Sequence, residues 1–331
     1  MKRLCFLVIC MSIIMGCSTS NSSTKALVDY VDPNIGTAHC RWFFYTPAAI
    51  PFGMAKLAPS TDAHLGNPGG WQAVGYDFRH TSIEGFANFH EFQVGGVVFA
   101  PTVGELQTVP GELENPDGGY RSRFDKKDEV AAPGYYSVLL KDYGVKAELT
   151  AMKRVGFHRY TYPKTELANL IFDIGNKQGE SGEVKDAEVQ YFEDGRVEGY
   201  VITSPVYVNI YQKGADVRMY FSAVLNKKPV QVGTFVKDVV NPGKHQEKGP
   251  GAGLYMTFST EEQEAVEVKV GLSYTSIENA RFNRETEAAD VTFDQAKKNA
   301  TDVWNESLSR IYVEGGKETD KVKFYTGLFD A

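Results

Sequence analysis

The sequence predicts a mostly β protein, a large antiparallel sandwich followed by helices, and three observations carry that prediction. Apolar residues recur with a period of two across much of the chain, as in Tyr136, Val138 and Leu140. Turn dipeptides such as Asp194-Gly195, Lys213-Gly214 and Pro242-Gly243 separate these runs. The helical period of 3.6 is confined to the region after Ser276. Composition agrees: 18 Tyr, 20 Phe, 3 Trp and 32 Gly favour strands joined by many turns over a helical bundle.

The first element reads as an address. Lys2 and Arg3 precede an apolar run that ends in Ile14-Met15-Gly16-Cys17. A hydrophobic stretch of roughly a dozen residues fits a secretory signal, whereas a spanning helix needs about 20. Gly16-Cys17 resembles a bacterial lipobox, which makes residues 1–16 a lipoprotein signal peptide and Cys17 the lipidated residue. The other reading is an ordinary signal peptide that contains a cysteine. Residues 17–27 read as a polar tether.

The sandwich is expected over 28–275. Its strands include Val145/Ala147/Leu149/Ala151, Val206/Val208/Ile210, Val217/Met219/Phe221/Ala223 and Val266/Val268/Val270/Leu272. About a dozen strands without intervening helical patterns argue for antiparallel pairing over βαβ units. A helical segment follows over 276–314, where Phe293, Ala296, Ala300, Val303, Trp304, Leu308 and Ile311 paint one face. A last helix begins near Thr319, with Val322, Tyr325 and Phe329 on its stripe, within a stub at 315–331. That aromatic stripe reads as still needing a partner, which suggests further sequence beyond Ala331.

Charge and cysteine content exclude other classes. A net charge of −7, from 35 Lys+Arg and 42 Asp+Glu, leaves no electrostatic footprint for nucleic acid. Of four cysteines, Cys5 and Cys10 leave with the signal and Cys17 carries lipid, so Cys40 remains without an intramolecular partner and reads as packed and inert. Generic catalytic signatures such as HExxH, GxxxxGK[ST] and GxSxG are absent.

Chemistry concentrates in 31–104, where Trp42, Phe43, Phe44, Tyr45, Phe52, Trp71, Phe86, Phe89 and Phe92 interleave with short polar side chains. A ring can cover the apolar face of a pyranose while Asn, Gln, Glu, Asp or His meets its hydroxyls. The same pattern also suits a sandwich core with glycine-marked bulges.

The ordered blocks Val31-Asp32-Pro33-Asn34-Ile35-Gly36-Thr37, Pro51-Phe52-Gly53-Met54, Leu57-Ala58-Pro59-Ser60-Thr61-Asp62, Gly85 through His90 and Pro101-Thr102-Val103-Gly104 resemble the N-terminal domain of glycoside hydrolase family 92, the secreted bacterial exo-α-mannosidases. The resemblance continues through Arg154-Val155-Gly156-Phe157-His158 to Phe324-Tyr325-Thr326-Gly327-Leu328. It implies a β-supersandwich, a short helical linker and the first helix of an (α/α)6 barrel whose remainder is missing. It further implies inverting hydrolysis of terminal α-mannosides with Ca2+, the acid, base and calcium ligands all belonging to that barrel, outside this chain. The substrate-contacting candidates here are His39, Arg41, Trp42, Asp62, His64, Trp71, Asn88, His90, Glu91 and Gln93. His90 reads alternatively as a satisfied core histidine and Glu91 as a solvated or interface carboxylate. The expected partners are a glycan with terminal α-mannose and, through the lipid alone, the bacterial outer membrane, on its periplasmic or cell-surface face. A stand-alone glycan-binding lipoprotein and a non-functional truncated product are the alternatives.

Overall fold

The computed structural model describes residues 25–38, 45–62, 75–90, 95–176 and 181–331. The expected signal peptide at 1–16, Cys17 and Cys40 therefore lie outside the described residues. Two antiparallel sheets face each other, as the alternation requires. The seven-stranded sheet runs, in spatial order, Ala58–Ser60, Gly85–Ala87, Val98–Val103, Thr165–Asp173, Ala252–Thr260, Gln231–Val236 and Val239–Pro242. The nine-stranded sheet runs Gln246–Lys248, Glu183–Tyr191, Val197–Ser204, Val217–Leu225, Glu264–Ser273, Val155–Tyr162, Val145–Ala151, Tyr135–Leu140 and Val130–Ala132. Ser82–Ile83 and Ser122–Arg123 form a separate two-stranded ribbon.

One apolar core fills the space between the two large sheets. Phe86, Phe99, Phe172, Leu254 and Met256 meet Tyr136, Leu149, Tyr160, Met219, Phe221, Val268 and Val270. Phe99 and Phe172 lie with ring centroids 4.2 Å apart, and Phe172 reaches Phe221 at 6.4 Å. Register follows the period of two, since a one-residue slip would turn each of these side chains to the opposite face.

One expected strand is a helix. Val206–Tyr211 forms α1, entered at Pro205, with Ile210 and Tyr211 largely exposed. Alternating apolar residues over so short a run do not separate strand from helix. Asn209 makes the difference: its amide nitrogen donates to Ser204 Oγ and to the Pro205 and Ala215 carbonyls, and its oxygen accepts from the Gly214 amide.

Three helices follow the last strand. Ser276 caps α2 (Ile277–Ala288) through the Asn279 amide, and a Thr292/Gln295 capping box starts α3 (Phe293–Leu308). Ile311, expected on the α3 stripe, falls beyond the helix and is half exposed. The final helix, α4, spans Glu318–Phe329. Its stripe does not lack a partner: Tyr325 and Phe329 are buried against Val28 and Leu308, with Trp304 4.5 Å from Phe329. Local pattern could not show that the segment before the first strand returns to cover it.

The helices α2 and α3 sit on the outer face of the nine-stranded sheet. At Gly271 a Cβ would stand 2.0 Å from the Ala280 carbonyl oxygen, so only glycine lets α2 approach this closely. Charge pairs fix the contact. Glu198, buried on its strand, accepts from Arg281 at 2.8 and 2.6 Å, from Arg196 at 3.0 Å and from Ser222 at 2.7 Å. Burial opposes its ionisation, and the Arg281 and Ser222 hydrogen bonds outweigh that, holding the carboxyl below its usual value. Arg154 pairs with Glu287 in α2. Arg159 binds Glu148 at 2.9 Å and Asp294 at 3.0 Å while stacking on Phe293.

The other sheet holds a carboxyl of opposite character. Fully buried Asp173 accepts from the Tyr120 hydroxyl at 2.6 Å and from the Asn176 amide, and burial pushes its pKa up to about 7. The folded chain thus keeps a proton that the unfolded chain releases near the ordinary value of 3.8, so this group's contribution to stability falls as pH rises between those values. Asp173→Asn removes that dependence. In urea unfolding the variant's stability relative to the parent should rise by about 1.4 kcal/mol per pH unit from about pH 4.5 to about 6.5; a flat difference would refute the assignment.

Candidate active-site cavity

The candidate site starts where strand Gly85–Ala87 leaves the sheet. Asn88, wholly buried, donates from its amide nitrogen to the Val97 carbonyl at 2.7 Å, and its amide oxygen lies 2.8 Å from His158 Nε2 on the opposing sheet. The oxygen can only accept, so His158 carries its proton on Nε2 and its Nδ1 accepts from the Tyr160 hydroxyl at 2.8 Å. Burial depresses the His158 pKa to about 3, consistent with a neutral ring. Gly156 makes room for this bond, because a Cβ there would lie 2.7 Å from Leu57 and 3.0 Å from Asn88 Oδ1.

The next two residues line a cavity. The Phe89 ring packs 5.1 Å from Tyr274, and the His90 amide donates to the Lys56 carbonyl at 3.0 Å. Tyr45 donates its hydroxyl to the His90 carbonyl and sets its ring 4.7 Å from the imidazole. His90 is almost wholly buried, and its Nδ1 has no hydrogen-bond partner. Burial alone pushes its pKa down to about 3, so it is a neutral ring at ordinary pH. Such an orphaned polar atom costs about 1–3 kcal/mol.

The facing wall is the turn Ile50 to Met54. Gly53 N–H bonds the Ile50 carbonyl at 3.0 Å, and Met54 N–H bonds the Lys153 carbonyl at 2.7 Å. Pro51 pre-sets the turn, and Phe52 follows with φ +56°, a conformation usually left to Gly or Asn. For an aromatic residue this costs about 1–2 kcal/mol. The Phe52 ring is 96% exposed. Between the walls lies a cavity of about 260 Å³ lined by Phe52, Gly53, Met54, Lys56, Phe89, His90 and Tyr274. That is slightly below the usual range of about 300–1,000 Å³ for ligand pockets. A second cavity of about 460 Å³, lined by Pro110, Glu112, Asn115, Asn176, Lys237 and their neighbours, has no aromatic among its described lining residues.

Of the sequence candidates, His90 lines the first cavity, and Asn88 lies beside it, spent on the bonds that hold the segment. Asp62 is buried beyond strand Ala58–Ser60, where its amide donates to the Gly75 carbonyl, and it does not line the cavity. His39, Arg41, Trp42, His64, Trp71, Glu91 and Gln93 lie outside the described residues. Lys56 and Tyr274 line it without having been named from the sequence, and Phe52 and Met54, which lie in the aromatic-rich region, were not among the substrate-contacting candidates. The available signal was an aromatic between Pro51 and Gly53. Among the described residues no group of three or more His, Cys, Asp or Glu side chains could hold a metal ion, so these residues do not fit a Ca2+ site of six to eight oxygens.

Asn88→Ala would strand His158 Nε2–H and leave the Val97 carbonyl with only the longer bond, 3.3 Å, from the residue 88 backbone N–H. Urea denaturation should show a loss of about 2–3 kcal/mol. A loss below about 0.5 kcal/mol would mean the amide does not hold the two sheets together here.

The Glycosyl hydrolase family 92 N-terminal domain matches residues 30–273, and the family's catalytic domain matches residues 279–331. Among solved structures, a family GH92 α-mannosidase from Bacteroides thetaiotaomicron in complex with mannoimidazole is 29% identical, with a TM-score of 0.82 over 92% of this chain and 40% of that one. A further family GH92 glycosyl hydrolase is 25% identical, with a TM-score of 0.76 over 92% and 40%. An inverting mannosidase of the family, also from Bacteroides thetaiotaomicron, shares the fold at 21% identity and a TM-score of 0.75, over 93% and 40%. The chain thus spans about 40% of the length of these proteins. Curated protein sequences give no match. With both domains of one family matched in order along a shared sandwich, the chain belongs to glycosyl hydrolase family 92.

Proposed function

We propose that this chain is the N-terminal, carbohydrate-contacting part of a secreted, lipid-anchored glycoside hydrolase acting on glycans with terminal α-mannose. The observation that carries the reading is the His90 cavity, where an uncharged imidazole lines the same space as the Phe52, Phe89 and Tyr274 rings. Uncharged hydrogen-bonding groups beside a ring suit a neutral polyol. The relative solved with mannoimidazole supports mannose as the sugar.

An inverting glycosidase places a carboxylic acid and a carboxylate base roughly 6.5–9.5 Å apart around the scissile bond. In this reading the acid, the base and the calcium ligands lie beyond residue 331. What supports it is that the catalytic-domain match here covers residues 279–331 and that the chain spans about 40% of its relatives. The chain alone, incubated with para-nitrophenyl α-mannoside and Ca2+, should release no nitrophenol above a protein-free control while still binding methyl α-mannoside. Hydrolysis by the chain would overturn the placement of the acid and base. Absence of mannoside binding would overturn the carbohydrate-contacting role.

The anchor rests on Lys2, Arg3 and the apolar run ending at Gly16-Cys17. It places the protein at the outer membrane of a bacterium, on the periplasmic or cell-surface face. Expressed with its leader, the Cys17→Ser variant should move from the membrane to the soluble fraction; unchanged membrane retention would refute lipidation there.

A further inference from the structure

We propose that residues 104–121 form a strap over the outer face of the seven-stranded sheet, held shut by the neutral Asp173 carboxyl and released when that carboxyl loses its proton. The segment leaves strand Val98–Val103 at Gly104, where φ +96° and open space around the missing Cβ let the chain swing. It ends at Arg121, which is buried and bonded to the Thr61 carbonyl, Ser82 and Glu84. Between these points Leu106 and Tyr120 pack on Ala100, Ile171, Phe235 and Tyr255, the apolar residues of that face. Val109, Pro110, Glu112 and Asn115 of the strap also wall the cavity of about 460 Å³, so the shape of that cavity depends on the strap staying down.

One carboxyl carries the fastening. Tyr120 of the strap and Asn176, on the far wall of the cavity, both donate to Asp173. Thr108 adds a bond to the Lys237 carbonyl at 2.7 Å, and Tyr143 adds one to the Tyr120 carbonyl at 3.1 Å. Asp173 is 1% exposed and makes no ion pair among the described residues. Its partners on the adjoining strands, Val98 and Gly253, carry no charge. Of the charged groups acting on the Tyr120–Asp173 pair, Glu84 opposes a second negative charge, and Arg121 is already committed to Glu84 at 3.1 Å. A phenol oxygen both donates and accepts, so a neutral carboxyl keeps the Tyr120 bond. An anion here has no counter-charge, and lifting the strap is the way to hydrate it. Burial holds this carboxyl up at about 7, whereas a hydrated one ionises near 3.8. Opening therefore becomes more favourable as pH rises between those values, and the gain stops above them.

Cysteine labelling tests the release. Ala100→Cys places a thiol beneath the strap, and Ala223→Cys places one in the core between the sheets; both positions are buried. In the full chain, reaction with a pyridyl disulfide is followed peptide by peptide and divided by the rate of a free cysteine peptide at the same pH. The Ala100→Cys thiol should react at least about a hundredfold faster than the Ala223→Cys thiol, because a local opening is far more populated than global unfolding. Its corrected rate should rise about tenfold per pH unit from about pH 4.5 to about 6.5 and then flatten. Adding Asp173→Asn should make that rate independent of pH. Adding Tyr120→Phe instead removes one fastening bond, so the rate should rise roughly fivefold throughout and keep its slope. A flat rate in Ala100→Cys alone, or a slope that survives Asp173→Asn, would overturn the proton's role. An unchanged rate with Tyr120→Phe would overturn the fastening, which keeps the proposal testable even where Asp173→Asn does not fold. Equal rates for the two thiols would overturn the strap and leave only unfolding of the whole chain.

Discussion

The rest of the structure depends on one polar bond placed where the chain can least do without it. Asn88, at the end of a strand in the seven-stranded sheet, reaches His158 in the nine-stranded sheet across the apolar core. Desolvating an amide and an imidazole is unfavourable unless both are satisfied. Here the Val97 carbonyl and the Tyr160 hydroxyl complete the set. Apolar packing alone tolerates small slides, whereas this chain of directional bonds admits one register. It thereby fixes the two residues that follow, Phe89 and His90, which line the cavity.

The facing wall is held from a different direction. The Trp304 indole N–H in α3 donates to the Ala49 carbonyl at 2.7 Å, immediately before the turn that carries Phe52. Beyond that turn, Met54 is bonded to Lys153, next to the Arg154 that pairs with Glu287 in α2. The helices are themselves clamped to the nine-stranded sheet through Glu198 and Arg159. Ion pairs at exposed positions are individually weak. Those here share the buried carboxylates of Glu198 and Glu148 and accompany the close approach at Gly271, so they act as a set. The rim of the cavity and the helices that follow the sandwich therefore form one connected body, and the position of the Phe52 ring is coupled to where α3 lies.

Much of the fold was legible because its periodicities have simple physical origins. The strands around Tyr136, Val145, Val217 and Val266 alternate because one face is core and the other is water or helix, and the α3 stripe follows from packing on a sheet. Segments decided by long-range or side-chain detail were not legible. Three apolar residues at 206, 208 and 210 matched a strand, yet Asn209 closes the segment into a helix. The α4 stripe looked uncovered because Val28 and Tyr30, nearly 300 residues earlier in sequence, are what cover it. The site was legible in kind, as rings among polar groups, and His90 was among its candidates. Phe52 was not, since an aromatic in a turn announces neither its backbone angle nor its exposure. Asn88 carried the right chemistry for a sugar, but only the third dimension shows its amide already engaged.

The protonation states sharpen what this sandwich does. A general acid or base works best with a pKa near the working pH, and burial holds His90 near 3. It can meet a hydroxyl but is poorly matched to protonating a leaving group. Buried carboxylates elsewhere are kept in their charged form: Asp77 and Glu148 are held at about 2, since the arginine hydrogen bonds they accept outweigh the burial that disfavours ionisation. They stay ionised and have no proton to give. Asp173, near 7, is matched to acid chemistry by pKa alone. Geometry rejects it, because it is fully buried, hydrogen-bonded to Tyr120 and Asn176, and absent from the cavity lining. A perturbed pKa marks a functional group only where substrate can reach it. Among the described residues, then, the histidine that lines the cavity is matched to hydrogen bonding and not to proton transfer at ordinary pH.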